Sequence, residues 1–224
     1  MTDKKRAIMI IVIVLTGCAV MAVTDGVVVA PYALKSAIKL IYFVAIPIIF
    51  MVLSREECLK MLKPNKKRII LAFALGLGVY GVIVGGYFAL RGVIDFSGIT
   101  GLLIDGEGVT RDNFIFVALY ISFINSFCEE LMFRGFAFGA LSKLIPRPVA
   151  YAFSALAFAV YHVAIMTGWF SPLVFVLAIV GLGAAGVIFN RIDDGADSIY
   201  PSWIIHLFAN LGINTVGLIL FGII

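Results

Sequence analysis

The chain has 224 residues, of which 62% are hydrophobic and 13% charged, and its mean hydropathy is +1.12. A soluble domain carries roughly 45–50% apolar and about 25% charged residues, so the composition excludes a water-soluble globular protein and leaves no room for a separate soluble domain beside 1–224. The net charge of +4 and the pI of about 9.0 trace to basic loops between apolar runs, which points to a membrane surface and gives no reason to infer a nucleic-acid partner.

A membrane helix needs roughly 20 mostly apolar residues to cross about 30 Å of hydrocarbon. By that criterion the sequence predicts an all-α, polytopic transmembrane bundle of about seven to eight membrane helices, with clear runs at 7–23, 36–53, 69–90, 113–134 with an extension, 149–167, 172–190 and 200–222. The first run follows Lys4, Lys5 and Arg6, and its L-T-G-C at 15–18 has the look of a lipoprotein signal with Cys18 as acceptor. The apolar run continues past Cys18 through A-V-M-A-V, which fits an uncleaved anchor better. Polar punctuation follows at Arg55–Arg68, at D-G-E-G-V-T-R-D-N from Asp105 and at N-R-I-D-D-G-A-D from Asn190. Pro64, Pro146 and Pro148 fall between runs, where a missing backbone donor does no harm.

Lys and Arg are retained on the cytoplasmic side of a membrane. In a seven-span arrangement Lys4, Lys5, Arg6, Arg55, Lys60, Lys63, Lys66, Lys67, Arg68, Lys143, Arg147 and Arg191 fall on one face, and Lys35, Arg91 and Arg111 on the other. The expectation is a multi-pass protein of the cell membrane with its N-terminus cytoplasmic and its C-terminus outside. The literal G-x-G-x-x-G at Gly181, Gly183 and Gly186 lies inside an apolar run with no strand before it, so nucleotide binding is not inferred. Small residues there, and in G-V-I-V-G at 81–85, are expected to let helix backbones approach closely. Cys18, Cys58 and Cys128 have no metal-ligand spacing and, being odd in number, imply no disulfide framework.

The fourth run carries C-E-E-L-M-F-R-G-F at 128–136. An ionisable group at membrane depth costs several kcal/mol unless it faces a cavity or a partner, so each is a functional candidate. The candidates are Glu129, Glu130, Arg134 and the chain's two histidines, His162 and His206, both in predicted spans. Glu130 and Arg134 are four apart, in the favourable order for a structural ion pair on one helix face. Glu129 is rotated about 100° away and is left free for chemistry. Phe158 shares a face with His162, and His206 with Asn210. Asn125 lies one turn before Glu129, and Asn214 one turn after Asn210.

Counted from the cytoplasmic ends of their spans, Glu129 and His162 fall at roughly 18–20 Å and His206 and Asn210 at roughly 10–16 Å. Four polar side chains from three helices are thus expected to converge on one buried site. A carboxylate beside a neutral imidazole can take a proton from water and return it to a leaving amine, while a second imidazole and an amide N–H can stabilise an oxyanion. Alternatively Glu129, His162 and His206 form a two-histidine, one-carboxylate set that would hold zinc with an open position. Either route is amide hydrolysis. A third reading takes the polar stripes as an ion or proton pathway of a transporter, or as a non-enzymatic scaffold.

E-E-L-M-F-R-G, F-A-V-Y-H and H-L-F-A-N, in that order, resemble the E-E-x-x-x-R, F-x-x-x-H and H-x-x-x-N motifs of the CAAX prenyl protease and bacteriocin-immunity (Abi, or CPBP) family of intramembrane proteases. The resemblance covers about residues 113–215, and no motif position departs from the pattern. It implies Glu129 and His162 as activators of the attacking water, and His206 with Asn210 as oxyanion stabilisers or, in older descriptions, metal ligands. It also implies a peptide or lipidated-protein substrate, either cleaved after a prenylated cysteine or linked to bacteriocin processing or immunity. No H-E-x-x-H helix pre-arranges two ligands, and Asn210 suits an oxyanion better than zinc. The expectation is therefore a glutamate-type endopeptidase with no cofactor, the metallo-endopeptidase being the alternative.

Overall fold

The computed structural model describes residues 1–28 and 30–224. Among these, all regular structure is helical, as expected. The helices are α1 (Asp3–Gly26), α2 (Tyr32–Leu53), α3 (Lys66–Leu90), α4 (Ser97–Glu107), α5 (Phe114–Leu141), α6 (Arg147–Met166), α7 (Pro172–Ala196) and α8 (Tyr200–Leu220), with a 3₁₀ segment at Glu57–Leu62. All but α4 are long and apolar enough to cross a membrane. At 11 residues, α4 is too short for that, reaching only about 16 Å.

Several helices begin before the predicted runs because polar residues and proline start them. The Thr2 side chain accepts from the Lys5 amide at 3.4 Å and the Asn65 side chain from the Arg68 amide at 3.4 Å, which satisfies backbone donors that a helix start leaves open. Pro148, Pro172 and Pro201 occupy first turns, where proline loses no helical hydrogen bond. The early start of α2, at Tyr32 instead of 36, places Lys35 and Lys39 inside the bundle, and both are buried.

The core sits around the second half of α5, whose residues Cys128–Leu141 are all buried. Phe133 packs edge-on against Phe43 of α2 and Phe158 of α6, and Phe136 against Phe50 of α2. Ile10 and Val14 of α1 complete the same cluster. Around this axis α3 packs on α8, α7 on α6 and α1 on α6.

Small residues set some of these approaches. A Cβ at Gly186 would lie 2.9 Å from the Ala155 Cα, and one at Gly212 would lie 3.2 Å from the Ile83 Cβ. The G-V-I-V-G expectation is not met: a Cβ at Gly81 or at Gly85 would meet nothing within 4 Å, because that face of α3 has no helix packed on it. The contact glycine of α3 is Gly76, against Phe208.

Two helices contain π turns, Leu40–Ala45 in α2 and both Ile121–Asn125 and Leu131–Phe138 in α5. Such wide turns are rare and frequently mark functional positions. In α5 they bracket an α-helical segment, Ser126–Glu130, which carries the two adjacent glutamates.

Candidate active site

Within Ser126–Glu130 the backbone is α-helical, so neighbouring residues diverge by about 100° and Glu129 and Glu130 face different partners. Glu130 is 0% exposed, and its Oε2 pairs with Arg134 Nε at 3.2 Å, as the spacing predicts. The Arg134 guanidinium lies between aromatic rings, 4.1 Å from the Phe158 centroid and 5.0 Å from that of Phe189. A second role for Glu130 was not legible: its Oε1 accepts from His206 Nδ1 at 2.7 Å. Buried Asp193 of α7 accepts from the Ser202 backbone amide at 3.1 Å and from its hydroxyl at 2.5 Å. That fixes α8 one turn before His206.

Glu129, 2% exposed, uses its two oxygens differently. Oε1 accepts from Lys39 Nζ at 2.9 Å, Asn125 Nδ2 at 2.9 Å and Tyr161 OH at 3.3 Å. Oε2 lies 3.7 Å from His162 Nε2 and 3.7 Å from His206 Nε2. His162 donates from Nδ1 to the Phe158 carbonyl at 2.7 Å, one helical turn earlier. Since a carbonyl can only accept, Nδ1 carries a proton, and in the neutral ring the Nε2 lone pair then faces Glu129.

The structure thus brings Glu129, His162 and His206 to one point. Asn210 shares the face of His206, and its amide donates to the Ile121 carbonyl at 3.2 Å. Asn214 donates to the Ala118 carbonyl at 3.1 Å and to Ser122 Oγ at 3.0 Å. The asparagine stripe of α8 therefore grips α5 where its first π turn begins.

Lys39 was missed by sequence reasoning. With a span beginning at 36, it sits in the first turn, where a lysine is read as reaching back to the interface. The signal available was the i, i+4 repeat of Lys35 and Lys39 beside an apolar run, which places two cations on one face. In the structure Lys35 pairs with Asp25 at 3.3 Å and Lys39 with Glu129.

One carboxylate oxygen facing two imidazole nitrogens can hold a water or a metal ion. At 3.7 Å the nitrogen-to-oxygen separations exceed a direct hydrogen bond and suit a bridging oxygen. Both imidazoles have their other nitrogen anchored, as ligating histidines require. Against a divalent cation stands the Lys39 ammonium, 2.9 Å from the same carboxylate. Among the described residues no group of three His, Cys, Asp or Glu side chains is arranged to hold a metal.

Residues 111–212 match the family model described as Rce1-like: type II CAAX prenyl endopeptidase Rce1-like. The match covers just under half of the chain, includes Glu129, Glu130, Arg134, His162, His206 and Asn210, and leaves α1, α2, α3 and α4 outside. No curated protein and no solved structure matches the chain. The family is one of intramembrane proteases, in keeping with a multi-pass membrane protein that has seven helices long and apolar enough to span among the described residues.

Proposed function

We propose that this chain is an intramembrane endopeptidase of the CAAX type, which hydrolyses a peptide bond near the C-terminus of a membrane-associated, prenylated substrate using water activated by Glu129 and His162. The observation that carries the reading is the Glu129 Oε2 atom, 3.7 Å from the Nε2 of both histidines. A water bridging that gap gives one hydrogen to Glu129 Oε2 and one to the free lone pair of His162 Nε2. As its oxygen attacks the scissile carbonyl carbon, the first proton passes to Glu129. Collapse of the tetrahedral intermediate breaks the C–N bond, and Glu129 returns that proton to the leaving amine.

His206 and Asn210 are the oxyanion donors in this reading. The form of His206 with a proton on both nitrogens satisfies Glu130 through Nδ1 and leaves an Nε2–H for the oxyanion. Asn210 has a second amide hydrogen beyond the one given to Ile121. Each such donor is typically worth about 2.7–4 kcal/mol of transition-state stabilisation. The mechanism is metal-free, and Lys39 supports that: a cation already neutralises the carboxylate a metal would need.

The test is cleavage of a farnesylated C-terminal peptide by the purified protein in detergent. Wild type is expected to release the C-terminal tripeptide and Glu129→Gln to release it roughly 10²–10⁴-fold more slowly. A wild type inactive on both prenylated and unmodified peptides, or undiminished cleavage by Glu129→Gln, overturns the reading.

A further inference from the structure

We infer that Lys39 is a positioning residue for this hydrolysis: it locks the Glu129 carboxylate through Oε1 so that Oε2 alone is presented to the water. The inference rests on the endopeptidase reading above. Lys39 lies on α2, outside the 111–212 region that matches the family, so the α5–α6–α8 site is completed by a helix the motifs do not describe.

Lys39 is 5% exposed, and a buried ammonium costs several kcal/mol unless it is paired. A cation needed only for neutralisation could approach either carboxylate oxygen. Here Lys39, Asn125 and Tyr161 all donate to Oε1, while among the described residues none lies within hydrogen-bond distance of Oε2, the nearest being the two histidines at 3.7 Å. The terminal torsion of a glutamate is broad, so an unheld carboxylate plane would swing away from the imidazoles. Three donors on one oxygen from α2, α5 and α6 hold that plane.

Lys39 is itself held. It donates to Asn125 Oδ1 while Asn125 Nδ2 donates to Glu129, closing a triangle that fixes the asparagine's amide orientation too. The rings of Tyr161 and Phe43 lie 4.9 and 5.6 Å from the ammonium, within cation–π range. Lys39 immediately precedes the π turn of α2, and Asn125 ends the first π turn of α5. Both partners thus stand at departures from regular helix.

The test compares wild type, Lys39→Met and Lys39→Gln by steady-state cleavage of a farnesylated peptide, with thermal unfolding in detergent as the control for folding. Lys39→Met keeps the apolar stem and removes the charge. It is expected to lower kcat by roughly 100-fold, the scale of a small misplacement of a reacting group, with KM unchanged. If Lys39→Met does not fold, Lys39→Gln, which still donates to Asn125, carries the same expectation at a smaller loss. A folded variant with wild-type kcat, or with a defect confined to KM, overturns the inference and leaves the endopeptidase reading standing, provided Glu129→Gln lowers kcat as expected. An inactive wild type, or a Glu129→Gln variant with undiminished kcat, overturns that reading and this role with it. Independently of turnover, Lys39→Met is expected to change the infrared carboxylate stretch of the protein, and to leave it unchanged in a Glu129→Gln background. An identical change in both backgrounds also overturns the inference.

Discussion

The two adjacent glutamates differ in which charge neutralises them, and that difference decides how each should respond to substitution. In the proposed mechanism Glu129→Gln removes the carboxylate that accepts the water proton, and it is expected to reduce turnover roughly 10²–10⁴-fold, measured as kcat on a farnesylated peptide. Because Lys39 loses its counter-charge, some stability should be lost as well, and Lys39→Met in the same chain should recover part of it in thermal unfolding. Arg134→Ala leaves Glu130 buried without its partner and is expected to cost roughly 3–5 kcal/mol, seen as a lower unfolding temperature and folded yield. Glu130→Gln should do both. It strands Arg134 between Phe158 and Phe189 and withdraws the carboxylate at His206 Nδ1. Helical spacing alone separates a catalytic from a structural glutamate; the contact of Glu130 with His206 gives Glu130 a share in both roles in the proposed mechanism. A Glu130→Gln enzyme with normal kcat per folded molecule would contradict that sharing.

At the scale of the helices, close approach and irregular turns position the site. Gly186 lets α7 lie against Ala155 of α6, and Asn190 of α7 and Phe133 of α5 share the Ser154 hydroxyl, at 3.1 and 2.8 Å. Gly186→Val is expected to destabilise by roughly 1–3 kcal/mol through overpacking. Gly81→Ala should not lower the unfolding temperature in detergent and should raise it slightly, since its Cβ meets nothing within 4 Å and alanine is roughly 0.5–1 kcal/mol better than glycine inside a helix. Equal effects at the two positions would show that α6 and α7 do not pack as described. The asparagine stripe of α8 binds carbonyl and hydroxyl oxygens of α5, so it sets the register of α8 on α5.

For the whole molecule, the basic loop around Lys60–Arg68 is expected on the cytoplasmic side. A Lys66→Cys variant should react with a membrane-impermeant maleimide only from inside or after permeabilisation. Background from Cys58 should be low, because burial pushes its thiol up to about 12 and a reactive thiol must ionise. Labelling of position 66 in intact cells would reverse the topology. Elemental analysis of active, extensively dialysed protein is expected to find no stoichiometric zinc. One tightly held zinc per chain, with activity lost on its removal and regained on its return, would replace the metal-free mechanism.

The sequence by itself determined the membrane class, the seven long helices and the Glu130–Arg134 pair, because each rests on a local quantity: the apolar length of a run or the 3.6-residue period of one helix. It also brought Glu129, His162, His206 and Asn210 forward, since ionisable and amide groups are costly in apolar runs. Only the tertiary structure decided that Glu130 holds His206, that Asp193 anchors the start of α8, and that Lys39 from α2 closes on Glu129. Those contacts join residues 76, 9 and 90 positions apart. Periodicity says which way a side chain faces on its own helix. It does not say which helix lies opposite, and that choice is made by burying charges in pairs.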